Sequence, residues 1–111
     1  MIEFAVETTA QGIGVVTPKG RLNMVSARRL KELLSELVSD GTSRIVVDMA
    51  ETTFLDSSGL GALIAGLKSA RQAGGDLRIA RPTPSVQTVF TLTNLDKVLR
   101  ARETVEGAFD E

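Results

Sequence analysis

Ile45-Val46-Val47 is an unbroken run of β-branched residues, and beyond it the chain reads Phe54-Leu55-Asp56-Ser57-Ser58-Gly59-Leu60-Gly61. Three consecutive branched apolar side chains leave no polar face. Such a strand is expected to be covered on both sides, as in a parallel sheet. The second stretch places Asp and Ser where an apolar helical pattern begins, and both residue types accept hydrogen bonds from the orphan N–H groups of a first helical turn. A buried strand followed by a capped helix points to an α/β architecture.

On the C-terminal side, the helix is expected from Ser58 to about Ala73 and is ended by Gly74-Gly75. Leu77 and Ile79 alternate with charged or small residues and predict the next strand. Thr83-Pro84 is an N-cap followed by proline at the first helical position, and Val86, Val89 and Phe90 give that helix an apolar stripe. Asn94 caps its far end, since Asn tolerates positive φ. Val98 to Arg102 is expected as a last strand and Glu103 to Phe109 as a short terminal helix. The tail from Gly107 to Glu111 is expected to fray.

On the N-terminal side, residues 24–40 form the clearest helix. Ala27, Leu30, Leu33, Leu34, Leu37 and Val38 recur at helical spacing, with Gly41 as a left-handed cap. Ile2, Phe4 and Val6 alternate as a half-buried strand, Thr8 to Gly12 turns the chain, and Ile13 to Thr17 returns it. Pro18 and Gly20 are expected to end regular pairing. The predicted order is β-β-α-β-α-β-α-β-α. It implies an α/β fold in one domain, residues 1–111, with about four helices and a mostly parallel sheet bearing an antiparallel N-terminal edge strand.

Composition narrows the function. A chain of 111 residues buries about 65% of its unfolded surface, enough for one core without staples. With 13 Lys and Arg against 14 Asp and Glu, the net charge of −1 lacks the footprint of a nucleic-acid or membrane-surface binder. There is no Cys, so there is no disulfide framework and no thiolate ligand, and no His, which removes the usual general base and transition-metal ligand. Neither a signal peptide nor an apolar run of membrane-spanning length is present, so a cytoplasmic protein is expected. No catalytic residue, metal or cofactor is expected.

The second helix is unusual in its surface. Residues 57–67 carry no charge, and Gly59, Gly61 and Gly66 each cost about 0.8–1.0 kcal/mol relative to Ala within a helix. Leu60, Leu63, Ile64 and Leu67 can supply its core face. The small residues then allow two readings, both open at this point. They let a neighbouring element pack closely, or they form a flat docking surface including Ala62 and Ala65, with Ser57 at its lip.

Asp56-Ser57-Ser58-Gly59-Leu60-Gly61, preceded by Val46-Val47-Asp48-Met49 and Phe54-Leu55, resembles the signature of the bacterial anti-sigma-factor antagonists, whose fold is called STAS. Gly20-Arg21-Leu22 resembles that family's Gly-x-Leu-Asp turn, Gly74-Gly75-Asp76-Leu77 its second helix-to-strand turn, and Thr93-Asn94-Leu95 its later Thr-Gly-Leu. The resemblance implies partner switching in a stress response. The serine after the aspartate is phosphorylated by a serine kinase that is itself an anti-sigma factor. The unphosphorylated antagonist binds that kinase and frees the sigma factor, and a PP2C-type phosphatase resets the switch. Carried over, Ser57 is the phosphoacceptor, and Asp56, Ser58, Gly59, Leu60 and Gly61 belong to the docking surface. The family turn ends in aspartate where this chain has Asn23. Asn keeps the capping acceptor and loses a charge beside the site, and Asn23 is expected with the partner-binding residues.

Three other readings accompany this one. A STAS subunit can bind its partner without phosphorylation, as in transport-associated relatives. Asp-Ser is also the attachment dipeptide of acyl carrier proteins, which are all-helical. A hydrolase with Ser57 as nucleophile would need a distant base, because the chain has no His and no Lys within ten residues of Ser57.

Overall fold

The structure is a computed structural model that describes residues 3–99 and 101–109. The expected strand positions Ile2 and Arg100 and the tail residues Asp110 and Glu111 lie outside the described residues. The elements run β1 (Glu3–Thr8), β2 (Gly14–Leu22), α1 (Met24–Ser39), β3 (Arg44–Asp48), β4 (Thr52–Leu55), α2 (Ser57–Gln72), β5 (Asp76–Ala80), α3 (Pro84–Leu92), a 3-10 turn (Leu95–Lys97) and β6 (Ala101–Arg102). This is the expected α/β class, with a six-stranded mixed sheet that excludes the all-helical carrier-protein reading. β1 pairs antiparallel with β2, and β2, β3, β5 and β6 follow in parallel.

Pro18 and Gly20 do not end β2. The strand continues to Leu22 and takes two parallel partners in succession: β3 pairs Gly14 to Val16, and β4 pairs Gly20 to Leu22, with a bulge between Gly20 and Arg21. Pro18 falls at the join between the two ladders, where a missing N–H costs no parallel bond. Its carbonyl accepts from the fully buried Thr52 hydroxyl at 3.1 Å. β4 itself was absent from the expected order. Four residues give no readable period, and the strand exists because β2 extends past its bulge to meet it.

Ile45, Val46 and Val47 are all fully buried. Ile45 and Val47 join the main core with Leu30 and Leu34 of α1, Leu63 and Leu67 of α2, Ile79, and Val86 and Phe90 of α3. Val46 faces the other side, against Ala80 and Ala108, with Ile13, Val105 and Phe109 around them. Burial on both faces is therefore as expected. The second cover is the C-terminal segment, which is not a helix but a series of turns, so three α-helices are present among the described residues. Gly107 N–H bonds Thr104 Oγ1 at 2.9 Å, and the Ala108 carbonyl accepts from Arg78 at 3.1 Å. The Arg78 guanidinium lies 4.4 Å from the Phe109 ring centroid. These contacts hold the described part of the expected fraying tail, and Ala108 is fully buried. The last strand is likewise shorter than Val98 to Arg102, because Leu95 to Lys97 wind into the 3-10 turn and Leu99 enters the core.

At the C-terminal edge of the sheet, Asp48 is 5% exposed and pairs with Arg81, whose Nε donates to Asp48 Oδ1 at 3.1 Å. Arg81 has φ 52, and its N–H bonds the Arg102 carbonyl at 2.9 Å. A buried carboxylate thus has the paired, hydrogen-bonded partner that its desolvation demands. Asn94 adopts φ 60 just beyond α3, the left-handed cap its sequence position suggests.

The glycines of α2 divide between the two readings. A Cβ on Gly59 would lie 2.8 Å from the Leu22 carbonyl oxygen and 2.6 Å from Leu55 Cδ1, and one on Gly66 would lie 2.5 Å from Leu34 Cδ1. Those two positions are close-packed. Gly61 has nothing within 4 Å. Gly61→Ala should therefore raise stability by about 0.8–1 kcal/mol through helix propensity. Gly59→Ala should lower it by about 1–3 kcal/mol through overpacking against a backbone oxygen. Denaturant titration of both variants checks the pair, and equal effects would contradict the assignment.

Candidate functional site

The candidate site is built where β2 and β4 end in step. Leu22 and Leu55 are paired neighbours, and the Asp56 N–H donates to the Leu22 carbonyl at 3.3 Å. The next residue of each strand is a helix cap, so the N-termini of α1 and α2 emerge side by side. Asn23 caps α1: its Oδ1 accepts from Val25 N–H at 3.0 Å and Ser26 N–H at 3.2 Å. Ser26 Oγ closes the box by accepting from Asn23 N–H at 2.9 Å, and it donates to the Arg21 carbonyl at 2.7 Å. Asp56 caps α2, with Oδ1 accepting from Gly59 N–H at 3.0 Å. Both caps have extended backbones, as N-caps require.

This arrangement places Ser57 as the first residue of α2, one position earlier than the expected start, and exposed. In that first turn the N–H groups of Ser57 and Ser58 have no intrahelical acceptor, so a positive dipole end faces outward at the hydroxyl. Ser58 is half-buried and Gly61 is exposed. Together with Ala27, Arg28, Lys31 and Ala62, they line a groove of about 400 Å³ between α1 and α2. The uncharged face of α2 is thus bordered by two cations contributed by the neighbouring helix.

Other expected surface residues lie inward. Gly59, Leu60 at 7% and Ala62 at 4% are buried, with Ala62 still forming part of the groove wall against α1. The same small residues that leave α2 uncharged let α1 and the Leu22–Leu55 ladder approach it. Ala65 is half-buried. Asn23 is half-buried, and its carbonyl oxygen is already engaged by two N–H groups.

The sequence reading missed the apolar rim. Met24 is 73% exposed and Val25 82%, at the start of α1, and Phe54 is 36% exposed, just before the α2 cap. The Arg21 guanidinium stacks 4.2 Å from the Phe54 centroid. The available signal was that Met24 and Val25 fall outside the apolar stripe of α1. Among the described residues no group of three or more acidic side chains could hold a metal ion, and no helix is long and apolar enough to cross a membrane.

The family model of the STAS domain matches residues 5–108. The anti-sigma-B factor antagonist of Staphylococcus aureus is 29% identical over 102 residues, covering 91% of this chain and 94% of that protein. The crystal structure of an anti-sigma factor antagonist from Mycobacterium paratuberculosis superimposes with a TM-score of 0.86 at 29% identity, covering 97% of this chain and 91% of the other. The phosphorylated form of the Bacillus cell fate determinant SpoIIAA has a TM-score of 0.75 at 22% identity, covering 97% of each chain, a likeness of fold.

If Asn23 works as a cap, Asn23→Ala should cost about 1 kcal/mol. Asn23→Asp should keep the cap and add about 0.3–1 kcal/mol from a carboxylate at a helix N-terminus. Thermal melts at low ionic strength check both, and a neutral Asn23→Ala would contradict the capping role.

Proposed function

The chain belongs to the STAS domain family, and on that premise we propose that it is an anti-sigma-factor antagonist switched by phosphorylation of Ser57. As such it is a regulatory binding protein rather than an enzyme. Its partner is an anti-sigma factor, which we assign as a serine kinase acting in the cytoplasm and opposed by a PP2C-type phosphatase. The single observation that carries the assignment is the exposed Ser57 at the first position of α2, beside the Asp56 cap.

A kinase needs a hydroxyl that can be placed in line with the γ-phosphoryl group, and it supplies the catalytic residues and metal itself. Ser57 meets that need on a rigid frame, because Gly59 and Leu60 directly behind it are packed into the core. The product anion sits at a helix N-terminus, where dipole and free N–H groups favour it by about 0.3–1 kcal/mol. That sign stabilises the existing helix and is too small to rearrange a packed core. Phosphorylation therefore changes the surface rather than the fold.

The effect on docking is larger. Phosphoserine adds about −1.5 to −2 charges beside Asp56. Those charges must lose water when a partner covers the site, at a cost far above that of a hydroxyl. The exposed Met24, Val25 and Phe54 supply the apolar contact area that the partner covers in the unmodified state.

Incubation with the cognate kinase and ATP should place phosphate on Ser57, read by peptide mass spectrometry, and Ser57→Ala should remain unmodified. Phosphate chiefly on Ser58 would overturn the assignment. Ser57→Ala should bind the anti-sigma factor as the unmodified protein does. Phosphorylation should weaken binding about 100-fold, equivalent to about 2.8 kcal/mol, with Ser57→Asp in between. Amide spectra of the two forms should differ only around the start of α2. Shifts across the whole sheet would contradict a surface switch.

A further inference from the structure

At the far end of α2 from Ser57, a pocket of about 210 Å³ opens between α2, β5 and the segment leading into β6, lined by Arg71, Asp76, Leu77, Arg78, Lys97, Val98 and Arg102. Ser57 and Arg71 lie at opposite ends of one helix. The fourteen-residue rise, at about 1.5 Å each, separates them by about 21 Å. The pocket is therefore a feature distinct from the phosphorylation site.

Its lining carries four cations and one carboxylate. The carboxylate is already committed: Asp76 Oδ1 accepts from Arg71 Nε at 3.0 Å and from the Leu77 N–H at 3.0 Å, and Oδ2 accepts from Arg78 Nε at 3.3 Å. Burial pulls the Asp76 pKa upward, but these hydrogen bonds and the charge of Arg71 outweigh it and hold the carboxyl below its usual value. Asp76 stays ionised, and Lys97 and Arg102 add positive charge to the lining beyond the Asp76 cluster. Among the described residues neither Lys97 nor Arg102 takes part in an ion pair. Arg102 Nε is buried and has no hydrogen-bond partner. A charged donor removed from water without an acceptor is costly, and native proteins rarely leave one so.

We infer that this pocket binds a small phosphate-class oxyanion, held by Arg102 and Lys97. Arg102 lines the pocket, and its guanidinium presents a planar donor fork suited to a tetrahedral oxyanion. Lys97 adds a mobile point charge at the rim. The volume is below the roughly 300–1,000 Å³ of pockets that bury drug-sized ligands, which suits a phosphate group with few attached atoms. Leu77 and Val98 provide an apolar wall for the carbon atoms of a phosphate ester.

The test is an amide-resonance titration of the full chain with inorganic phosphate, at ionic strength held constant with sodium chloride, and a parallel titration with ribose 5-phosphate. Saturable shifts confined to Asp76, Leu77, Arg78, Lys97, Val98 and Arg102 are expected. Arg102→Met should weaken binding on the order of tenfold or more, as for loss of a charged hydrogen bond. Lys97→Met, at an exposed position that leaves folding intact, should weaken it by a smaller factor. Tighter binding of the ester identifies a phosphorylated metabolite as the natural ligand, and equal binding identifies free phosphate. Shifts that never saturate, affinity unmoved by Lys97→Met, or tighter seating of an acidic peptide than of either phosphate would overturn the proposal. The readout is independent of Ser57, so its failure leaves the switch reading untouched.

Discussion

The short parallel ladder between the end of β2 and β4 is the constraint on which the functional end of the molecule depends. Gly20 pairs with Thr52, Arg21 with Phe54 and Leu22 with Leu55, and the Asp56 N–H closes the ladder on the Leu22 carbonyl. Because both strands stop at the same level, the two helices that follow start side by side. Each is then held at its first turn by its own cap, Asn23 or Asp56. The close approach of Gly59 to the Leu22 carbonyl locks the second helix onto the ladder. The exposure of Ser57, the groove between α1 and α2 and the position of the apolar rim all follow from that registration.

A helix seated this tightly needs small residues on its inner side and so loses propensity. α2 contains Gly59 and Gly66 where neighbouring atoms leave no room for a Cβ, and Ala62 and Ala70 in the core beside them. The intrinsic cost, about 0.8–1.0 kcal/mol per glycine, is offset by burial of Leu60, Leu63 and Leu67. Rigidity behind Ser57 is a by-product of this packing. It suits a switch whose two states differ in surface charge and not in backbone.

Charge is distributed in the same economical way. The α2 face near Ser57 is uncharged, with Arg28 and Lys31 across the groove, so one added dianion dominates the local field. At the other end of the helix the cations crowd around Asp76 instead, and Arg102 keeps a buried donor without an acceptor. The two ends of α2 thus present different electrostatic character on one framework, one with an exposed hydroxyl and one with several cations gathered around a carboxylate.

The sequence by itself determined the α/β class, the three α-helices, the strand buried on both faces and the position of Ser57 at a helix start. These are local or periodic signals: the α1 stripe, the Ile45-Val46-Val47 run, and the capping residues Asn23, Asp56 and Thr83. The expected fourth helix failed because its backbone groups are taken up by Arg78 and by turns over Val46, a tertiary competition that no local pattern records. β4 was illegible for a similar reason, since four residues form a strand only because β2 passes its bulge to receive them. Within the site, composition showed an uncharged small-residue face. Only the packed structure decided that Gly59, Leu60 and Ala62 belong to the core while Ser57 and Gly61 face outward. Helical spacing assigns residues to faces, but which face meets a neighbour depends on where the neighbour lies, and that is set by strand pairing between residues far apart in the chain.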